Sequence, residues 1–179
     1  MPTLFNAILN HPKLASYDLS CLKFCLSGGA ALPIEVKQRF EAATGCKVVE
    51  GYGLSETSPV VTCNPIEGPV KVGSIGMPLV GTVISLRNMG DPTQEVAVGE
   101  KGEICVKGPQ VMLGYYKRPE ETADQTVGEF LRTGDVARMD EEGFFFIEDR
   151  IKDSSSRRDS TSTRAASRRR STSTRPSPR

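Results

Sequence analysis

The amino-acid composition changes abruptly after Asp153, and this change limits the length of chain that can form a hydrophobic core. The 26 residues that follow, SSSRRDSTSTRAASRRRSTSTRPSPR, contain no Leu, Ile, Val, Phe, Tyr or Lys. A segment of this composition buries too little apolar surface to offset the conformational entropy lost on folding. We therefore expect residues 154–179 to form a disordered Arg/Ser-rich tail, and residues 1–153 to contain the folded part.

The net charge of +1 combines two parts of opposite sign. The tail has eight Arg and one Asp, a local charge of +7, which leaves residues 1–153 with a net charge of −6. An acidic body lacks the basic surface that nucleic-acid binding requires, so only the tail could recruit RNA. Because the tail has no aromatic residue for base stacking, we expect no specific nucleic-acid recognition.

The length of residues 1–153 fits one domain with its own core. No apolar run approaches the roughly 20 residues of a membrane-spanning helix, and the first residues, MPTLFNAILNHPK, lack the features of a secretory signal. We expect a cytoplasmic protein, with peripheral membrane association as the remaining option. The five scattered cysteines and single histidine argue against disulfides or a zinc site.

The first half of the chain has the pattern of a β-loop-α-β unit. Residues 22–26, LKFCL, are a candidate buried strand, followed by a pair of glycines and a predicted helix near 33–43. The segment KVVEGYG predicts a second strand that ends in glycines. Such units build parallel sheets that bind ligands at the strand ends, so we predict a partial α/β subdomain at residues 1–71.

Residues 72–149 contain short apolar segments separated by glycine and proline, a pattern typical of an antiparallel sheet or barrel. The segments are VISLRN, GEICVKG, DVARMD and FFFIED. The sequence PEETADQ, at 119–125, predicts a short helix. The predicted fold class is therefore α/β, with a parallel-sheet portion followed by a small β-barrel-like portion.

The segment EGYGLSETSP, which overlaps the end of the strand KVVE, contains several residue types that suit a nucleotide. Gly51 and Gly53 permit close approach of the backbone to a bulky ligand, and the ring of Tyr52 could stack on a purine. Ser55 can hydrogen-bond a phosphate, and Glu56 has the hard oxygens that Mg²⁺ prefers. Taken alone, the segment also fits a glycine-rich turn without a ligand, because it lacks the third glycine of a dinucleotide fingerprint.

Two further short motifs have a similar ambiguity. SGGAALP, residues 27–33, places glycines between a strand and a helix, where the backbone could lie against a planar ring, but a plain connecting loop fits as well. In RTGD, residues 132–135, Asp135 beside a glycine turn could accept both hydroxyls of a ribose. It could equally be a cap or turn former.

Together and in this order, these motifs resemble the adenylate-forming superfamily, which includes acyl-CoA synthetases, luciferases and the adenylation domains of peptide synthetases. The resemblance covers nearly all of residues 1–153. It rests on the ordered segments SGGAALP, EGYGLSETSP, GSIGMPL, GEICVKGPQVMLGYYKRPEET and FLRTGDVARMDEEGFFFIEDRIKD. Within the superfamily, GPQVMLGYYKRPEET and MDEEGFFFIEDRIKD look most like bacterial long-chain fatty acid CoA ligases.

The resemblance implies a reaction in two steps. ATP and a fatty acid give an acyl-adenylate and pyrophosphate, and the thiol of coenzyme A then displaces AMP. It also implies which residues face the adenine and acyl pocket: Gly51, Tyr52 and Gly53 would form its wall, with Gly28 and Gly29 nearby.

The resemblance implies roles for the charged residues too. Ser55 would contact phosphate, and Glu56 would hold Mg²⁺. Asp135 would bind the ribose hydroxyls with the assistance of Arg150. These assignments suit the chemistry, because attack of a carboxylate on a phosphate brings negative charges together and requires positioning and cationic neutralisation.

The resemblance stops inside a hinge motif, residues 150–153, in which Lys152 would be the residue about which a C-terminal domain swings. We find no counterpart of the superfamily's upstream phosphate loop or of its lysine-bearing C-terminal domain. We therefore expect a ligase fragment that is inactive alone. The alternatives are a non-catalytic nucleotide- or acyl-binding remnant and RNA binding through the tail. The tail itself fits either out-of-frame translation or a genuine arginine-serine segment.

Overall fold

A computed structural model describes residues 2–151 of the chain. The tail predicted to be disordered and Lys152 of the hinge motif lie outside the described residues. None of the helices within residues 2–151 combines the length and the apolar character that a membrane span requires. The structure has helices and two sheets, and the predicted α/β fold class is confirmed.

The first sheet is mixed and has the strand order β1-β2-β3-β4. Its elements are α1 (Pro2–Leu9), β1 (Phe24–Ser27), α2 (Ile34–Thr44), β2 (Lys47–Gly53), β3 (Val60–Cys63) and β4 (Met77–Pro78). Strands β1 and β2 are parallel, as the β-loop-α-β pattern predicts. Strand β3 runs antiparallel to β2, and β4 runs antiparallel to β3, so the parallel pairing is confined to one pair of strands.

Helices α1 and α2 cover one face of this sheet. Helix α2 ends at Gly45, whose left-handed conformation (φ 70°) lets its N–H donate to the carbonyl of Glu41. The rings of Phe5 and Phe40 pack edge to face, with centroids 4.8 Å apart, and form a buried cluster with Val48 of β2. This cluster fixes the helices over the strands that lead to the glycine-rich motifs.

The candidate buried strand at residues 22–26 corresponds to β1, but the prediction that it is buried is wrong. In β1, Phe24 and Leu26 are 47% and 44% exposed, whereas Ser27 is buried. Strand β1 is at the edge of the sheet in the described part of the chain, and successive side chains of a strand point to opposite faces. Only one set of its side chains therefore faces the helices.

The second sheet is antiparallel, with the order β5-β6-β8-β7 and with β9 paired to β8. Its elements are β5 (Val83–Arg87), β6 (Lys101–Lys107), α3 (Pro119–Asp124), β7 (Thr126–Val127), β8 (Phe130–Met139) and β9 (Phe145–Arg150). Its core contains Ile104 and Phe145, and Val61 of the first sheet packs into the same cluster. The predicted boundary between residues 71 and 72 stays a prediction.

The two sheets meet at Gly76, which forms an isolated bridge with Phe145 of β9. The N–H of Phe145 donates to the carbonyl of Gly76 (3.0 Å), and the N–H of Gly76 donates to the hydroxyl of buried Ser74 (2.8 Å). Gly76 has a φ of +89°, and a Cβ there would collide with the backbone of Cys63 and Asn64. Only glycine suits both the conformation and the space at this junction.

Burial divides the cysteines into reactive and protected thiols. Burial raises the pKa of Cys46 to about 11, with a further contribution from the neighbouring Cys25 thiol, and raises the pKa of Cys105 to about 12. Cys21 is exposed. Because the thiolate is the nucleophile, we expect iodoacetamide at pH 8 to modify Cys21 first and to reach Cys46 and Cys105 only after unfolding. Peptide mass spectrometry checks this order, and equal labelling of Cys21 and Cys105 in the folded chain would contradict it.

Candidate functional site

A cavity of about 1000 Å³ is lined by residues of both sheets. It contains eight of the ten site residues that the sequence predicts: Gly29, Gly51, Tyr52, Gly53, Ser55, Glu56, Asp135 and Arg150. Gly28 does not line it but packs beside it, since a Cβ on Gly28 would lie 3.3 Å from the carbonyl oxygen of Gly51. Lys152 is outside the described residues. The structure therefore brings the three separate motifs to one place.

The carboxylate of Asp135 joins the two sheets at the cavity wall. The hydroxyl of Tyr52 donates to Asp135 Oδ2 (2.7 Å), and Arg150 Nε donates to Asp135 Oδ1 (2.8 Å). Asp135 is buried, with 8% exposure. Burial raises the pKa of Tyr52 above its usual range, and the neighbouring Asp135 carboxylate raises it further, so the phenol stays protonated and serves as the donor.

Asp135 is positioned by a β-bulge, and the prediction of a glycine turn at RTGD is wrong. Residues 132–135 lie within β8, where the pairing with β6 shifts register and Gly134 has a φ of +75°. Residues 133–135 of β8 lie opposite the single residue 104 of β6, and these two extra residues are accommodated because glycine adopts this conformation without steric cost. The bulge changes the direction of the strand and places the next side chain, Asp135, at the cavity.

A buried carboxylate that sequence reasoning missed holds this bulge. Glu103 of β6 is 2% exposed, and its Oε2 accepts hydrogen bonds from Arg132 Nε (3.0 Å) and Nη2 (2.8 Å). Its Oε1 accepts the N–H of Gly134 (3.1 Å). The signal in the sequence was a charged residue directly before the apolar residues 104–106 of a predicted strand, because a buried charge requires a partner.

The glycines of the segment EGYGLSETSP are required by the sheet itself. A Cβ on Gly51 would lie 2.8 Å from the carbonyl oxygen of Thr62 in β3, and one on Gly53 would collide with the carbonyl of Pro59. Strand β3 and the residue before it thus approach β2 too closely for any side chain at either position. Close approach of a ligand to these glycines stays a prediction.

Glu56 follows β2 in a short 3-10 turn, Ser55–Thr57, and is half-buried at the cavity. Its Oε1 accepts a hydrogen bond from the hydroxyl of Tyr115 (2.9 Å), and Oε2 has no hydrogen-bond partner among the described residues. Burial raises the pKa of Tyr115, and the hydrogen bond to Glu56 raises it further, so the phenol donates. The contact joins residues 59 positions apart, and no local pattern in the sequence indicated it.

A divalent cation bound to Glu56 would need its other ligands from water or a bound molecule. Residues 2–151 contain no group of three or more His, Cys, Asp or Glu side chains that could enclose a metal. Mg²⁺ commonly uses one or two carboxylates together with water and phosphate oxygens, and the unpaired Oε2 of Glu56 can supply such a ligand. The cavity can therefore supply one carboxylate oxygen, Glu56 Oε2, to a cation whose other ligands come from water and a bound anion.

Comparison with known proteins identifies the class of enzyme to which this fold and cavity belong. Residues 1–116 match the family model of the AMP-binding enzyme, so the chain belongs to this family of adenylate-forming enzymes. Over 153 residues it is 56% identical to a long-chain-fatty-acid–CoA ligase of Bacillus subtilis (strain 168), which corresponds to 85% of this chain and 27% of that protein. A long-chain-fatty-acid–CoA ligase of Yersinia pestis is 46% identical over 151 residues, 84% of this chain and 26% of that protein. The resemblance inferred from the motifs is confirmed.

A solved structure supports the same conclusion. The anthranilate CoA ligase AuaEII, solved in complex with anthranoyl-AMP, superimposes with a TM-score of 0.74 at 29% identity. The match covers 85% of this chain and 29% of that one. The chain thus spans about a quarter of the length of the curated relatives it matches.

Proposed function

We propose that this chain forms one wall of the nucleotide site of an ATP-dependent fatty acid CoA ligase. The observation that carries the proposal is the cluster of Tyr52, Asp135 and Arg150, in which residues from both sheets converge on one carboxylate at the cavity. The names of the relatives support long-chain fatty acids as the acid and coenzyme A as the acceptor. Inactivity of the isolated chain and a cytoplasmic location stay predictions.

Asp135 is suited to bind the two hydroxyls of a ribose. A carboxylate offers about four acceptor sites, and Tyr52 and Arg150 use two of those on Asp135. The remaining sites can accept the hydroxyls, while burial strengthens each hydrogen bond by excluding water. The hydrogen bond from Tyr52 also holds its ring at the cavity, where an adenine can stack.

The phosphates would lie towards Ser55 and Glu56. Ser55 is exposed at the cavity, and its hydroxyl, which has no hydrogen-bond partner among residues 2–151, could donate to a phosphate oxygen. Glu56 would hold Mg²⁺ through Oε2. Bound Mg²⁺ would neutralise phosphate charge, which favours approach of the anionic fatty acid. Arg150, whose side chain is 60% exposed, adds positive charge on the ribose side.

Replacement of Asp135 by alanine is expected to weaken binding of a non-hydrolysable acyl-adenylate analogue by about 1 to 3 kcal/mol, the range for hydrogen bonds to a charged group. Calorimetric titration of the purified chain measures the affinity, and circular dichroism verifies the fold. Asp124→Ala is the control, because Asp124 is exposed at the end of α3 and outside the cavity, and it should change nothing. Equal affinities of the Asp135→Ala variant and the unchanged chain would refute the ribose role.

The alternative of a non-catalytic nucleotide-binding remnant shares this site, so the titration tests the nucleotide half of both proposals. RNA binding through the tail concerns residues outside the described part of the chain.

A further inference from the structure

We propose that Tyr115 is a positioning residue that orients the carboxylate of Glu56 for a divalent cation bound to a nucleoside triphosphate. The inference rests on the proposed function, since it takes Glu56 as the cation ligand. It assigns a role to a tyrosine that neither touches the cation nor lines the cavity.

The loop that contains Tyr115 holds Glu56 at two points. The hydroxyl of Tyr115 donates to Glu56 Oε1 (2.9 Å), and the N–H of Met112 donates to the main-chain carbonyl of Glu56 (2.8 Å). The main-chain bond fixes where the residue is, and the side-chain bond fixes which way its carboxylate turns. Oε2 is then the oxygen left for a cation.

Tyr115 is itself fixed by the first turn of α3. Its N–H donates to Thr122 Oγ1 (2.9 Å), and the Thr122 hydroxyl donates to the carbonyl of Arg118 (2.8 Å). Gly114 has a φ of +149°, and a Cβ there would lie 2.8 Å from Thr122 Cγ2. Glycine therefore permits the close packing of this loop on α3. The hydrogen bond to Thr122 ties the backbone of Tyr115 to that helix.

The adjacent tyrosine provides an internal comparison. Tyr116 is 86% exposed, the ammonium group of Lys117 lies 5.2 Å from the centroid of its ring, and its hydroxyl has no hydrogen-bond partner among residues 2–151. The two neighbours are thus the same residue type on the same loop, but only Tyr115 reaches Glu56. Tyr115→Phe and Tyr116→Phe form a matched pair that each remove one hydroxyl.

The orientation of the Glu56 carboxylate matters because a glutamate side chain has three rotatable bonds. If these bonds become fixed only when the cation binds, the lost conformational freedom lowers the affinity for the cation. Hydrogen bonds that orient a metal ligand commonly change metal affinity by about 10-fold or more when removed. The effect should appear only when the metal is present, which separates positioning from a general loss of structure.

The experiment measures the affinity of the 179-residue chain for ATP with and without Mn²⁺, by calorimetry, and follows free Mn²⁺ by electron paramagnetic resonance. We expect Mn²⁺ to increase ATP affinity in the unchanged chain and in Tyr116→Phe. Tyr115→Phe should reduce this Mn²⁺-dependent gain by about 10-fold while leaving the metal-free affinity unchanged. Glu56→Gln should remove the gain.

Each other outcome overturns a stated part of the proposal. If Tyr115→Phe lowers the affinity equally with and without Mn²⁺, the role is structural and the positioning role is wrong. If Glu56→Gln removes the gain but Tyr115→Phe does not reduce it, the positioning role alone is wrong. If the unchanged chain shows no gain, or Glu56→Gln keeps it, the metal role of Glu56 is wrong and that of Tyr115 falls with it.

Discussion

Replacement of Gly76 by alanine is expected to lower the free energy of unfolding by about 4 kcal/mol or more, the range of substitutions that force the backbone itself to move. The new methyl group would collide with the backbone of Cys63 and Asn64, which cannot rotate away as a side chain could. The collision would also separate Gly76 from Phe145, where the two sheets are hydrogen-bonded. Urea denaturation followed by circular dichroism measures the loss.

Gly73→Ala is the control for this prediction. Gly73 has a similar φ of +78°, but a Cβ there meets no atom within 4 Å. Alanine at residue 73 should therefore cost only the strain of the left-handed conformation, about 1 kcal/mol. Equal losses in the two variants would show that collision at the junction contributes nothing.

The second large effect is expected for Glu103→Ala, which should lower the free energy of unfolding by about 3 kcal/mol. Removal of one partner of a buried ion pair leaves the other charge unpaired, and here it also leaves the N–H of Gly134 without its acceptor. This expected loss lies at the low end of the range for breaking buried ion pairs, because the Arg132 side chain is 29% exposed and water can partly solvate it.

Glu129→Ala gives the matched control, since Glu129 is 77% exposed and pairs with Lys107 at the surface. It should cost about 0.5 kcal/mol or less. Glu103→Ala should in addition weaken binding of the acyl-adenylate analogue, because the bulge that positions Asp135 loses its support. Thermal denaturation of the two variants tests the difference in stability, and calorimetric titration with the analogue tests the difference in binding. A Glu103→Ala variant as stable as Glu129→Ala would contradict the prediction.

Local sequence patterns predicted most of the regular structure. The segments KVVEGYG and PEETADQ correspond to β2 and α3, because glycines end the first and a proline at the first helical position starts the second. Strand β3, Val60–Cys63, was missed, since it has only four residues and follows a motif interpreted as a loop. RTGD resembled a turn because a glycine with positive φ serves both turns and bulges.

The site was predicted only in part, for a physical reason. Motif resemblance identified Tyr52, Glu56 and Asp135, and the structure places all three at one cavity. Glu103 and Tyr115 were missed because they act through contacts across 29 to 59 residues, which depend on the register of the strands and the path of a loop. Spacing along the chain does not encode either one.

The carboxylate of Asp135 is shared between the cavity wall and the end of β9. Arg150, the last residue of β9, donates to Asp135 Oδ1, while the hydroxyl of Tyr52 in β2 donates to Oδ2. The carboxylate that lines the cavity is therefore also the group that holds the end of β9. Loss of this carboxylate would free the guanidinium of Arg150 at the same time as it removes acceptors from the cavity, so that a single substitution changes both the strand end and the cavity wall.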